Sequence, residues 1–247
     1  MLRWLADAGS ALVDLVLPTT CAGCGAGEGS AGLCVGCAGA LAAAVPARVR
    51  PAPEPAGLPR TVALAGYGGA LSAAILQYKE RGRYGLVQVL GERLAGVVTV
   101  AAPQGRPLLL VPVPATSAAA RRRHGDHMAR LARHAAATLC RSGRAAAVAY
   151  PVKALPRPDS AGLSAADRAV AASASFVVRP RSLPAVRAAT GAGVTVVLVD
   201  DVITTGATLS AVATRLRAAG VPVSVAAVLA ATPRHGSSRF GGSSRSA

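Results

Sequence analysis

An α/β fold with a parallel sheet flanked by helices is predicted by three features of the 247-residue chain. From residue 60 onward, short apolar runs alternate with stretches of helical periodicity. Two of the runs, 108–114 and 194–201, are apolar on successive residues, as strands covered on both faces must be. The second ends in two acids and a turn of hydroxyl residues and glycine that opens a helix. In an open α/β sheet that edge is where ligands bind.

The elements follow in order. Residues 1–17 place Leu2, Leu5, Gly9, Leu12 and Val16 at steps of three to four, which predicts an amphipathic helix. Asp7 and Asp14 interrupt its apolar part and no small-residue cleavage site follows, so it is not read as a secretory signal. Residues 18–45 carry four cysteines among glycine and alanine, and 46–59 carry five prolines, a semi-extended linker. Strands are predicted at 61–67, 108–114, 146–152, 194–201 and 221–231. Helices are predicted at 71–80, 86–98, 127–141, 163–173 and 208–220. The region 60–232 is thus one α/β domain, and the Ser, Gly and Arg tail at 233–247 is expected to be disordered.

Apolar residues make up 52 % of the chain but aromatics only 3 %, so the core is built from small aliphatics. The composition excludes a wholly disordered chain, a collagen-like repeat and a coiled-coil rod. No apolar run is long enough to cross a membrane, and a cytoplasmic location is expected. The formal charge is +16, because only 11 acids oppose 27 basic residues. Such a field favours anionic partners, either phosphates or nucleic acid, although a solvated basic surface gives the same count.

The stretch that carries chemistry is Val196-Val197-Leu198-Val199-Asp200-Asp201-Val202-Ile203-Thr204-Thr205-Gly206-Ala207-Thr208. Backbone N–H groups of Thr204, Thr205, Gly206, Ala207 and Thr208, at a helix N-terminus, would form an anion site. Gly206 would let the backbone approach a phosphate closely. Asp200 and Asp201 would repel a bare phosphate but would accept hydrogen bonds from two adjacent sugar hydroxyls. The stretch therefore reads as a ribose-5-phosphate site, and a mere capping turn would need only one acid.

Cys21-x₂-Cys24 and Cys34-x₂-Cys37 form two knuckles whose four thiolates suit a closed tetrahedral zinc site. A redox pair or an iron–sulfur cluster is the alternative. Cys140 is expected to be buried in its helix without a chemical role, and His127 is a weak candidate acid, set against the idle role usual for an exposed histidine at a helix start.

The strand, acid pair and Thr-Thr-Gly-x-Thr loop resemble the phosphoribosyl diphosphate (PRPP) loop of type I phosphoribosyltransferases. With the four-cysteine segment, the chain resembles the ComF family, which includes competence (DNA-uptake) and GntX-type proteins. Tyr78-Lys79-Glu80-Arg81-Gly82, Val111-Pro112-Val113-Pro114, Arg121 to His127 with Leu131-Ala132, and Asp159 to Leu163 with Arg168 and Phe176 carry the rest of the likeness. The chain has Asp126-His127, Ser160 and Ala171 where the family usually has amide side chains. The resemblance implies that Asp200 and Asp201 hold the ribose 3′- and 2′-hydroxyls and that residues 204–208 hold the 5′-phosphate. It also implies that Mg²⁺ rides on PRPP and that the reaction is pentosyl (glycosyl) transfer to an acceptor with release of pyrophosphate. Lys79, Arg121 and Arg123 are candidates for binding that pyrophosphate. The competing reading is a non-catalytic competence factor that holds single-stranded DNA on its basic surface, works with DNA-uptake proteins and uses PRPP as an effector. The shortage of aromatics for base stacking weighs against it.

Overall fold

The computed structural model describes residues 20–26, 32–122, 125–156 and 175–232. The predicted helices at 1–17 and 163–173, the tail at 233–247, and residues Arg123, Ser160, Arg168 and Ala171 lie outside the described residues.

A six-stranded sheet has the order β1-β2-β8-β7-β3-β4. Its strands are β1 (Ala47–Val49), β2 (Arg60–Gly66), β3 (Leu108–Pro112), β4 (Ala146–Val148), β7 (Thr195–Ile203) and β8 (Val225–Ala231). All neighbours pair in parallel except β1, which runs antiparallel to β2. Two short strands, β5 (Val152–Ala154) and β6 (Phe176–Val178), form a separate antiparallel pair. The helices are α1 (Val35–Ala43), α2 (Gly69–Glu80), α3 (Val87–Ala101), α4 (Ser117–Arg122), α5 (His127–Arg141), α6 (Leu183–Gly191) and α7 (Ala207–Ala218).

The sheet is buried on both faces, and period-two alternation divides the strand residues between them until the carboxyl edge, where Leu229 and Ala230 join the same face. Leu108, Leu110, Val197, Val199 and Leu229 pack with Leu90, Leu94 and Val98 of α3 and Met128, Leu131 and Leu139 of α5. Leu109, Val111, Val196, Leu198 and Val228 pack with Leu209, Val212 and Leu216 of α7 and Val186 of α6. The four-cysteine segment joins the first of these clusters through Cys21, Leu33, Cys37 and Leu41.

The 46–59 segment is more ordered than a semi-extended linker. Residues 47–49 pair with 61–63 as an edge strand, a role that a short stretch between prolines can fill. Further on, Ser210 Oγ donates to Ala56 O, and Arg217 Nη1 donates to Gly57 O at 2.6 Å, so the segment lies clamped along α7. Cys140 is exposed rather than buried. The buried face of α5 runs through 128, 131, 132, 135, 136 and 139, and residue 140, in the last turn, falls about 40° beyond the edge of that stripe at 136. The predicted strand at 146–152 ends at Val148, and 152–154 belongs to the small sheet instead. No helix among the described residues is long and apolar enough to cross a membrane.

Two glycines of α3 separate close packing from helix propensity. A Cβ on Gly91 would stand 2.9 Å from His134 Cβ and 2.7 Å from its Cδ2, so α3 and α5 would have to part. A Cβ on Gly96 would meet nothing within 4 Å. Urea unfolding is expected to show Gly91→Ala destabilised by about 1–2 kcal/mol, and Gly96→Ala stabilised by about 0.5–1 kcal/mol.

Candidate functional site

β7 delivers its acid pair at the carboxyl edge of the sheet. Continued alternation puts Asp201 on the α2/α5 face and Asp200 on the α7 face. Asp201 is buried, with 5 % exposure, and Asp200 is half-buried. Lys79 Nζ, from the last turn of α2, lies 2.7 Å from Asp201 Oδ2. His127 Nε2, at the first residue of α5, lies 3.1 Å from the same oxygen. The Asp201 backbone N–H donates to Asp200 Oδ1 at 2.9 Å. Among the described residues, these bonds engage one oxygen of each carboxylate.

The two acids are driven apart electrostatically. Burial pushes the Asp200 carboxyl well above the usual range, and the neighbouring Asp201 charge adds to that. Burial acts in the same direction on Asp201, but the His127 hydrogen bond and the Lys79 ammonium outweigh it and hold Asp201 down at about 2.

The loop after β7 turns at Gly206, whose φ of 78° suits glycine. A Cβ there would come within 3.1 Å of Leu58 Cδ1 and Pro51 Cγ. The close neighbour behind Gly206 is therefore the 46–59 segment, a packing reason the sequence reading did not supply. On the other side, Thr204 and Thr205 are exposed, and Ala207 and Thr208 are half-buried at the start of α7. Asp200 and residues 202–209 line a small hollow of about 30 Å³. The first turn of α7 holds no acid, its N-cap Gly206 has no side chain to cap it, and the Ala207 N–H makes a long contact of 3.4 Å to Thr205 Oγ1. Its N–H groups and positive dipole end thus suit an anion.

A larger cleft of about 330 Å³ adjoins the hollow and shares Asp200, Val202 and Thr208 with it. Val113 to Thr116 after β3, Ala154 and Phe176 of the small sheet, Lys79, His127 and Asp201 also line it. Of the three basic candidates, Lys79 lines the cleft with its ammonium on Asp201. Arg121 is exposed on α4 and does not line the cleft, and Arg123 lies outside the described residues.

His127 is the residue the sequence reading undervalued. It is 5 % exposed, not a solvent-facing histidine. Asp126 caps α5 by accepting from the Ala129 N–H at 3.0 Å, which turns the first helical side chain inward onto Asp201. A helix cap directly before a histidine, in a chain with only four histidines, was the available signal.

The four cysteine sulfurs lie within 4.8 Å of one another. Cys24 Sγ and Cys34 Sγ are 3.8 Å apart, the edge length of a tetrahedron with metal–sulfur bonds of about 2.3 Å. Backbone N–H groups of Gly23 and Cys34 point at Cys21 Sγ, and that of Cys37 points at Cys34 Sγ. Burial alone would raise the Cys21 thiol, but backbone N–H groups bring it down to about 6. Burial and the neighbouring sulfurs push Cys37 up to about 12. The donor set fits a closed four-thiolate metal site.

Residues 159–239 match the family model described as the phosphoribosyl transferase domain. That segment includes β6 to β8, the acid pair and the loop, and the fold is of the phosphoribosyltransferase type. No curated protein matches the chain. One similar solved structure is described as an asparagine mutant probing an invariant aspartic acid in HPRTs, at 17 % identity and TM-score 0.33, covering 68 % of this chain and 72 % of that one. A second is a Trypanosoma cruzi hypoxanthine phosphoribosyl transferase, at 17 % identity and TM-score 0.34, covering 68 % and 71 %.

The opposite shifts of the acids have opposite consequences for stability. Asp201 lies below its unfolded value, so its contribution is present above about pH 4 and is lost as pH falls towards 2. Asp200 lies above its unfolded value, so it opposes folding once pH rises past about 4. Asp200→Asn keeps an acceptor for the Asp201 N–H and removes the buried charge. Calorimetry is expected to show its Tm a few degrees above that of the unmodified protein at pH 7, with the gain shrinking towards pH 4.

Proposed function

We propose that the chain binds PRPP at the end of β7 and transfers its ribose-5-phosphate to an acceptor, releasing pyrophosphate, as a ComF-type phosphoribosyltransferase. The observation that carries this reading is the contiguity of two carboxylates with the anion-binding hollow at the start of α7. A phosphorylated sugar needs a place for its charge and, a few ångströms away, acceptors for its hydroxyls. The second oxygen of Asp200 and that of Asp201 would take the 3′- and 2′-hydroxyls, while residues 204–208 would take the 5′-phosphate. C1 and the leaving group would then face the larger cleft, which also has room for the acceptor.

In the transfer, the C1–oxygen bond to pyrophosphate breaks with its electron pair, and the acceptor supplies the pair for the new bond and gives up its proton. The C1 region passes through an oxocarbenium-like state. Two fixed carboxylates beside it favour developing positive charge without acting as nucleophiles. Holding phosphate and diol at separate points orients C1 towards the acceptor. Magnesium would enter on the oxygens of PRPP and neutralise the leaving pyrophosphate, which calls for few dedicated protein ligands.

Zinc is the proposed occupant of the four-cysteine cluster, supported by the sulfur spacing and the closed donor set. It would be structural, tying α1 and the two knuckles to the α2/α3 side of the core. A role in natural competence is the family-level part of the proposal, and the +16 charge is the feature that supports single-stranded DNA as a further partner.

Calorimetric titration of Mg–PRPP into the metal-loaded protein is expected to show saturable binding. Asp200→Asn/Asp201→Asn should weaken it by about 100-fold or more, since hydrogen bonds to charged groups contribute about 1.5–3 kcal/mol each. Absence of binding by the folded wild type would remove the transferase reading and leave nucleic-acid binding as the function to test. Elemental analysis is expected to find one zinc per chain, lost in Cys24→Ser/Cys34→Ser. Iron with visible absorption would replace that assignment with a cluster.

A further inference from the structure

Asp201, assigned above to the 2′-hydroxyl, does not hold its own position. Its carboxylate is fixed by two residues from different helices, and the His127 arm of that arrangement is built with unusual care. Asp201 is held in its ionised form, so it can only accept, and the contact at 3.1 Å places a proton on His127 Nε2. The other ring nitrogen, Nδ1, is buried and has no hydrogen-bond partner among the described residues. Nε2 is therefore the ring's one hydrogen-bonding contact among the described residues, and it is directed at Asp201.

The histidine is fixed in turn. Tyr78 Oη donates to the His127 carbonyl at 3.1 Å, and the two rings meet edge-on with centroids 6.5 Å apart. Tyr78 is fully buried, and it precedes Lys79 in the last turn of α2. One turn of α2 therefore supplies both the ammonium on Asp201 and the hydroxyl that holds the His127 backbone carbonyl. Asp126 fixes the same residue from the other side by capping α5.

We propose that His127 is a positioning residue that sets the site's preference for a ribo over a 2-deoxyribo sugar phosphate. By engaging Oδ2 of Asp201, it aims the remaining oxygen at the place of the 2′-hydroxyl. This inference rests on the phosphoribosyl reading of the site. It predicts that sugar discrimination, and not phosphate binding, depends on a side chain 74 residues away from Asp201 in sequence.

The test is titration of ribose 5-phosphate and 2-deoxyribose 5-phosphate into wild type, His127→Leu and His127→Gln. Both sugars carry the same phosphate, so the deoxy ligand reports whether fold and loop are intact. Wild type is expected to prefer ribose 5-phosphate by about 10-fold or more, the worth of one hydrogen bond to a charged acceptor. His127→Leu should bind the deoxy sugar as wild type does while its preference falls to within about 2-fold. His127→Gln, whose amide N–H can reach the same oxygen, should restore the preference. A His127→Leu protein that still discriminates like wild type, or that loses both sugars equally, overturns the proposal. So does a wild type that binds both sugars alike, while leaving the phosphate site standing. A wild type that binds neither sugar nor PRPP overturns the proposal together with the reading beneath it.

Discussion

A carboxylate buried at the end of a central strand has to be answered by charge or by hydrogen bonds, because an uncompensated one costs several kcal/mol. Asp201 imposes that requirement here, and the helices around the sheet edge end or begin where they can meet it. α2 runs until Lys79 reaches the carboxylate, and α5 starts at the residue whose ring nitrogen touches it. The Tyr78 hydroxyl then couples the end of one helix to the start of the other. Local order at the cleft is thus a consequence of satisfying one oxygen atom.

Beside it, Asp200 stays in tension with its neighbour. Two acids that share a strand end cannot both be comfortable as anions, and of the two it is Asp201 that has Lys79 and His127 in direct contact. The strain is tolerable because the rest of β7 lies in a two-sided core of Val196 to Val199, with continuous parallel pairing to β3 and β8. Stability invested in that sheet sustains an edge that is poor in stability and rich in hydrogen-bond acceptors.

What was legible in the sequence was what is contiguous. The apolar run, acid pair, hydroxyl loop and helix occupy adjacent positions, so their periodicities and turn chemistry could be read directly. The same holds for the cysteine knuckles and for α5, whose residues 127–141 show a clear helical repeat. The cluster on Asp201 was not legible, because Lys79, His127 and Asp201 come from three distant segments and their meeting is a property of topology. The environment of Cys140 was lost for a different reason. Apolar composition places a residue in a helix, but only its angular phase places it on a face. β1 was hidden by the prolines around it, and α6 was passed over although Pro184 stands in its first turn, where proline favours a helix start.

The segment clamped along α7 bears on how such a chain could be recombined. Pro51 and Leu58 close over Gly206, and the carbonyls of Ala56 and Gly57 are held by Ser210 and Arg217. What looks in sequence like a dispensable tether is a strut behind the turn that would cradle the phosphate. A crossover placed at the tether, exchanging one four-cysteine segment for another, would have to carry the matching surface of α7 with it. The seam along which the two parts could be swapped does not coincide with the seam that the prolines suggest.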